Sequence, residues 1–133
     1  MYNFLKGNGI NAAYFTSPWF ITLFTNAFFD NKENNNYKFM MKIFDIFLFS
    51  GWKGIYKIGI SLLKNNAKKI MSYPYEKLVT FLNNEVVLSE YFRNENLNEL
   101  VNIDLNFKIS RELMDNIKKE YEILVKEKEK EKN

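Results

Sequence analysis

Apolar residues recur at spacings of three and four along most of the chain, and alternation with period two is scarce. That pattern predicts an all-α helical bundle of roughly five to seven helices with no sheet. The stretch "TSPWFITLFTNAFF" opens a first helix, with Thr16 or Ser17 as N-cap and Pro18 in the first turn, where its missing N–H costs nothing. Trp19, Leu23 and Ala27 fall on one face, with Phe20, Phe24 and Phe28 beside them. The polar run "DNKENNN" is a solvated connector. A second helix, Tyr37 to Phe49, is apolar on nearly every side, which marks a buried central helix, and Gly51 suits its C-terminal stop. A third helix runs from Trp52 to Met71, where Gly54 and Gly59 permit close packing, and "SYP" ends it. Tyr75 to Asn83 and Val86 to Phe92 read as short helices, and "NENLNELVNI" as one or two helical turns. Ser110 caps a last helix with Leu113, Ile117, Tyr121 and Leu124 on its face and Met114 and Val125 alongside. One domain is expected over 1–125. Residues 126–133, "KEKEKEKN", have no apolar face left and should fray, because their i,i+3 charge pairs are worth only about 0.2–0.5 kcal/mol each.

Two features of this pattern need explanation. The helices from Trp19 to Phe49 are apolar on more sides than the later, more polar helices can cover, so an apolar docking face for a missing partner is expected, with self-association of the chain as one way of covering it. Asp45 also sits within the apolar run. As a catalytic carboxylate it would need a second carboxylate, a metal partner or a base one helical turn away, but positions 41, 42, 48 and 49 are Met, Lys, Leu and Phe. The better reading is a buried structural acceptor for the indole N–H of Trp19 or Trp52, or for backbone N–H groups near Gly51, since an unpaired buried carboxylate costs several kcal/mol.

Composition removes several chemistries. With no cysteine and no histidine in 133 residues, the chain has no disulfide, thiol nucleophile, Cys/His zinc site or histidine acid–base catalysis. The net charge of +3 is mild, but up to Tyr75 nine lysines face only Asp30, Glu33 and Asp45. Lys53, Lys57, Lys64 and Lys68 fall within about 60° on a helical wheel. Such a stripe suits an anionic partner or an anionic membrane surface; as a solvated face it needs no partner. With Arg93 and Arg111 the only arginines and no interleaved aromatics, no nucleic-acid partner is expected. The uncharged stretch Gly7 to Phe29 is interrupted by Asn8, Gly9, Asn11, Ser17 and Pro18, so no transmembrane helix is expected. No cofactor or metal is expected either.

The segments "GINAAYFTSPWFITLFT" and "IFDIFLFSGWKGIYKIGISLLK" resemble the second half of the TBC domain of Rab GTPase-activating proteins. Trp19, Phe20, Thr22, Leu23 and Phe24 match its aromatic-rich helix. Asp45, Phe47 and Gly51 match its "R-x-W-D-x-F-hydrophobic-x-G" element, with Phe44 in place of the usual Trp and Lys42 in place of Arg. "YEKLVTFLNN" and "LNELVNIDLNFKISRELMDNIKKEY" resemble the closing helices, so the likeness runs from Leu5 to about Tyr121. It implies the all-α C-terminal lobe of a TBC domain. Trp19, Phe20, Asp45, Phe47 and Gly51 would be structural motif residues there, with Asp45 fastening the central helix.

The family is expected to supply an Arg finger from "I-x-x-D-x-x-R" and a Gln finger from "Y-x-Q", both in the N-terminal half. This chain has no glutamine and neither motif, so no catalytic residue carries over. The resemblance implies a regulator rather than an enzyme. Its parent domain would accelerate GTP hydrolysis on a GTP-bound Rab in vesicle trafficking, with the N-terminal half of its own TBC domain as a second partner. A cytoplasmic setting is implied, including peripheral association with endomembranes. A catalytically inactive helical module that binds a small GTPase or an adaptor is the alternative. A membrane-active amphipathic bundle is disfavoured by Asp45 and by the mixed charges after Tyr75.

Overall fold

The computed structural model describes residues 1–28, 36–88 and 108–130, and all secondary structure among them is helical. The elements are α1 (Tyr2–Gly7), α2 (Ala12–Ile21), a 3₁₀ turn (Thr25–Phe28), α3 (Asn36–Asn65), α4 (Ala67–Ser72), α5 (Tyr75–Thr80), a π turn (Phe81–Glu85) and α6 (Arg111–Lys130). The chain divides into two compact units, Met1–Ile103 and Asp104–Asn133. The segments expected to be helical between 89 and 103 lie outside the described residues.

In the first unit, α1 and α2 end in the same way. After α1, Gly9 takes φ 69°, its N–H reaches the Lys6 carbonyl at 3.0 Å, and the Ile10 N–H reaches the Leu5 carbonyl at 2.9 Å. This is a Schellman turn, and its usual hydrophobic contact is supplied by Leu5 and Ile10, both buried. After α2 the same pair of bonds recurs, Leu23 N–H to Phe20 O at 3.4 Å and Phe24 N–H to Trp19 O at 2.7 Å. Here Leu23 takes the left-handed position (φ 49°) that glycine occupies after α1, and Phe24 follows at φ 64°. Left-handed backbone costs an ordinary residue roughly 1–2 kcal/mol. Trp19 and Phe24, both buried with ring centroids 5.8 Å apart, offset that strain by packing.

This turn corrects the expected first helix. The helix begins at Ala12, not near Pro18, because Asn11 caps it by accepting the Ala13 N–H at 2.9 Å. Pro18 lies inside it. It ends at Ile21 rather than running to Phe28, since the turn swings Phe24 into the core. The short α1 was not foreseen, because too few apolar positions mark it.

α3 is two helical segments joined at Gly51, whose φ 57° and ψ −153° are non-helical. That region of backbone space belongs almost solely to glycine. The expected stop at Gly51 is therefore found, but helix resumes at once. At this corner the segments lie close, since a Cβ on Gly54 would fall 2.7 Å from Ile46 Cγ2 and 2.9 Å from Ser50 Cβ. Gly59 is in ordinary contact with the Phe20 ring, 3.4 Å from where its Cβ would stand. Both glycines thus sit where close packing was expected. The second segment ends at Asn65, and α4 continues after Asn66, whose Nδ2 donates to Leu62 O at 2.9 Å. Tyr73, extended at ψ 141° before Pro74, ends α4 as "SYP" foretold.

The core joins Phe15, Trp19 and Phe24 with Ile43, Ile55, Ile58 and Leu62 of α3, Ile70 of α4, and Leu78, Phe81, Leu82, Val86 and Val87. The expectation of a buried second helix is overturned here. Among the described side chains of the segment before Gly51 only Ile43 is fully buried, and Met41, Phe44, Asp45, Leu48 and Phe49 are exposed. The second segment, α2 and the stretch from Leu78 of α5 through Val87 supply most of the core, and only one side of the first segment is covered. On length and composition alone, Phe39–Asn65 is long and apolar enough to cross a bilayer, a stretch that the sequence reading did not single out for this. The break at Gly51 and the seating of Ile55, Ile58 and Leu62 in the core are features of a core helix.

In the second unit, α6 begins where Ser110 Oγ accepts the Leu113 N–H at 3.1 Å, the expected cap. The helix continues through Lys126 to Lys130. Leu113, Met114 and Val125 are half-buried, and Ile117, Tyr121 and Leu124 are exposed.

Candidate functional site

The motif residues gather around the corner of α3, with one exception. Phe47, just before the break, meets Trp52, just after it, edge to face at 5.3 Å. Trp52 stacks on Tyr56 at 6.1 Å, and Tyr56 meets Phe20 of α2 edge to face at 5.2 Å. Phe20 reaches Phe24 at 6.2 Å, Phe24 reaches Trp19 at 5.8 Å, and Trp19 meets Phe15 at 5.2 Å. Seven rings therefore connect the Gly51 corner to the heart of α2, and each such pair adds about 0.5–1.5 kcal/mol beyond simple burial. Trp19, Phe20, Phe47 and the Gly51 corner are brought together by this ladder. Phe15, Tyr56 and Trp52 as a ring partner were missed, although the i,i+4 spacings Phe15–Trp19 and Trp52–Tyr56 could have marked them.

The exception is Asp45. It is exposed, so it is not the buried acceptor expected from its apolar neighbours. The buried Trp19 Nε1 has no hydrogen-bond partner among the described residues, so it does not donate to Asp45. The reason is rotational. The core-facing stripe of this segment is Phe39, Ile43, Ile46 and Phe47, and Asp45 lies well around the helix from it.

Opposite that stripe runs a second one. Tyr37, Met41, Phe44 and Leu48 follow each other at spacings of four, three and four, and all four are exposed. Leu48 is 79% exposed and Phe49, beside the corner, is 91% exposed. This is a narrow apolar seam at helical spacing, left open to solvent. The segment thus has apolar stripes on opposite sides, of which the fold covers one.

The lysine stripe is divided between two elements. Lys53, Lys57 and Lys64 lie on α3, whereas Lys68 lies beyond Asn66 on α4. Lys57 and Lys64 each engage another group within the fold. Three lysines outside the stripe sit over aromatic rings, partners that the sequence reading missed, Lys6 over Tyr2 among them. Lys69 Nζ sits 4.8 Å above the Phe81 ring and Lys77 Nζ 4.5 Å above the Tyr73 ring, pinning the turn between α4 and α5.

Catalytic geometry does not assemble. Among the described residues no three Asp or Glu side chains come together in a way that could hold a metal ion. Arg111 is exposed in the first turn of α6, and Arg93 lies outside the described residues. A cleft of about 410 Å³ beside α1, lined in part by Tyr2, Leu5, Lys6, Ile10 and Asn11, offers one cation and no carboxylate.

Known proteins are similar to this chain in sequence. The chain is 34% identical over 83 residues to TBC1 domain family member 4 of Mus musculus, covering 62% of the chain and 6% of that protein. It is 27% identical over 86 residues to the GTPase-activating protein GYP5 of Saccharomyces cerevisiae, covering 65% of the chain and 9% of that protein. It is 25% identical to the GTPase activating protein Gyp51 of Schizosaccharomyces pombe over 129 residues, 91% of the chain and 11% of that protein. The chain therefore spans about a tenth or less of the length of these relatives. No solved structure matches. The sequence profile of the RabGAP TBC domain matches residues 1–124, nearly the whole chain, which accordingly belongs to the RabGAP TBC domain family.

Proposed function

We propose that this chain is the finger-lacking C-terminal portion of a TBC-type domain that stimulates GTP hydrolysis by a Rab small GTPase in vesicle trafficking, and that its own part is scaffold. The observation that carries this reading is the family match over residues 1–124 in a chain without a single glutamine. Two of its relatives are named as GTPase-activating proteins. In the hydrolysis, water attacks the γ-phosphorus and GDP leaves. An arginine offsets charge on the transferred group, and a glutamine orients the water. This chain supplies neither finger. Its ring ladder holds α2 against the corner of α3, a rigid base on which a finger-bearing half can be positioned. The setting that goes with this reading is the cytoplasm or the cytoplasmic face of endomembranes.

Phosphate release from a panel of GTP-loaded Rab proteins tests the reading. The chain alone should match the buffer control. Joined to a finger-bearing N-terminal half of a TBC domain, it should accelerate at least one Rab by roughly 10³–10⁵-fold. Stimulation of that size by the chain alone would overturn the scaffold role. Binding of a Rab by the joined protein without stimulation would favour the inactive interaction module.

A further inference from the structure

We propose that the paired clefts beside the turn from α1 to α2 bind a proline-rich segment of another protein, extended as a polyproline II helix with a carboxylate at its Lys6 end. Both clefts lie wholly within the first unit. One, of about 410 Å³, is lined in part by Tyr2, Lys6 and Asn11. The other, of about 260 Å³, is lined by Tyr14, Tyr75 and Asn83, with the buried Phe15 and Leu82 among its apolar residues. Gly9 and Ile10 line both, so the clefts meet at that turn. A Cβ on Gly9 would meet no atom within 4 Å, and glycine has no side chain to wall one cleft off from the other. Tyr2, Tyr14 and Tyr75 are all exposed, although each stands at a largely apolar cleft.

The lining selects the ligand. The second cleft is smaller than the roughly 300–1,000 Å³ of sites that enclose a whole small molecule, so it suits one part of a longer chain. No charged side chain lines it, and its polar side chains are two phenols and a carboxamide. A polyproline II chain has no internal hydrogen bonds, so its carbonyls can accept from such donors while its rings pack on aromatic side chains. Other modes of peptide recognition fit less well. A docked helix has already bonded its own carbonyls and leaves those donors unmet. An added strand needs a sheet edge, and there is no strand among the described residues. A phosphorylated peptide needs a cluster of cations, and Lys6 is the single one lining either cleft. Lys6 instead sets direction. Its ammonium, 6.0 Å from the centre of the Tyr2 ring, favours an Asp or Glu at that end of the ligand. Pro18 and Pro74 are built into the helical fold, so the ligand comes from another molecule. The inference is independent of any action on a Rab protein.

Amide NMR spectra of the whole chain test this with synthetic peptides blocked at both ends. The probes are octaproline, octaproline with an Asp added at its N-terminal end, octaproline with an Asp added at its C-terminal end, and a glycine–serine octapeptide. Octaproline should shift the amides of Gly9, Tyr14 and Asn83 saturably, and the glycine–serine peptide should not. One of the two Asp peptides should bind about threefold more tightly than octaproline. Lys6→Ala should erase that gain and leave octaproline binding unchanged, whereas Tyr14→Ala should weaken every proline peptide roughly tenfold. Both positions are exposed, so folding should survive, and circular dichroism checks that. Tyr121→Ala, an exposed aromatic of α6, should change nothing. No shift at millimolar octaproline, shifts centred on other residues, or equal binding of the glycine–serine peptide would overturn the proposal. Two Asp peptides that bind no better than octaproline would overturn the assignment of a carboxylate to the Lys6 end.

Discussion

The two segments of α3 read almost alike in sequence and behave differently in the fold. Both carry apolar residues at three and four spacing, and both are long enough to be stable helices only through packing. After Gly51, Ile55, Ile58 and Leu62 are buried, Gly54 and Gly59 admit close neighbours, and Lys53 and Lys64 are exposed, so one side is core and another is solvent. Before Gly51 the apolar residues occupy opposite sides, and a short chain can cover only one. Apolarity all round a helix is therefore a statement about how many neighbours the helix expects, and not about how many this chain provides.

The sharpest way to break the contrast is to truncate one side chain from each segment. Ile58→Ala opens a cavity in the core, at a site with no solvent access, and should cost about 2–5 kcal/mol in a denaturant melt. Leu48→Ala, measured in dilute chain, should change stability by less than about 0.5 kcal/mol, because the side chain is already in water. Equal losses at the two positions would mean that the seam is covered within a single molecule.

The glycines at the corner separate crowding from backbone geometry. Gly54→Ala pushes a methyl into Ile46 Cγ2 and Ser50 Cβ, and overpacking of this kind costs about 1–3 kcal/mol. Combining it with Ile46→Leu, which removes the branching methyl at Cβ, should recover part of that loss, a coupling that a double-mutant cycle reads directly. Gly51→Ala meets no atom within 4 Å, so its cost comes from φ 57° and ψ −153° alone, about 1–3 kcal/mol. No neighbouring substitution should rescue it. A neutral Gly51→Ala would show that the corner relaxes into another backbone conformation.

What could be read from the chain and what could not divide along a physical line. The helical class, the stop at Gly51, the tight contacts at Gly54 and Gly59, the "SYP" end and the Ser110 cap were legible, because each is a local choice of backbone or hydrogen bond made by neighbouring residues. The end of α2 was not legible. Its turn puts Leu23 where glycine is usual, and only the tertiary contact of Phe24 with Trp19 makes that worthwhile. The ring ladder was legible in its members Trp19, Phe20 and Phe47 but not in its continuity, which needs α2 and α3 placed side by side. The direction in which Asp45 faces also escaped. Helical periodicity gives relative angles, but the choice between two apolar stripes depends on which neighbours are present.

Asp45 gives the smallest expected effect and the finest discrimination. A buried carboxylate that accepts hydrogen bonds would cost on the order of 1–3 kcal/mol to remove, since its donors would be stranded. The structure places Asp45 in solvent and leaves the Trp19 indole without a partner among the described residues, so Asp45→Ala strands nothing. In dilute chain its thermal melt should match the parent to within about 0.5 kcal/mol. A large loss already present at high dilution would return Asp45 to the interior as a fastening residue, and the open face of α3 would then have to be redrawn around it.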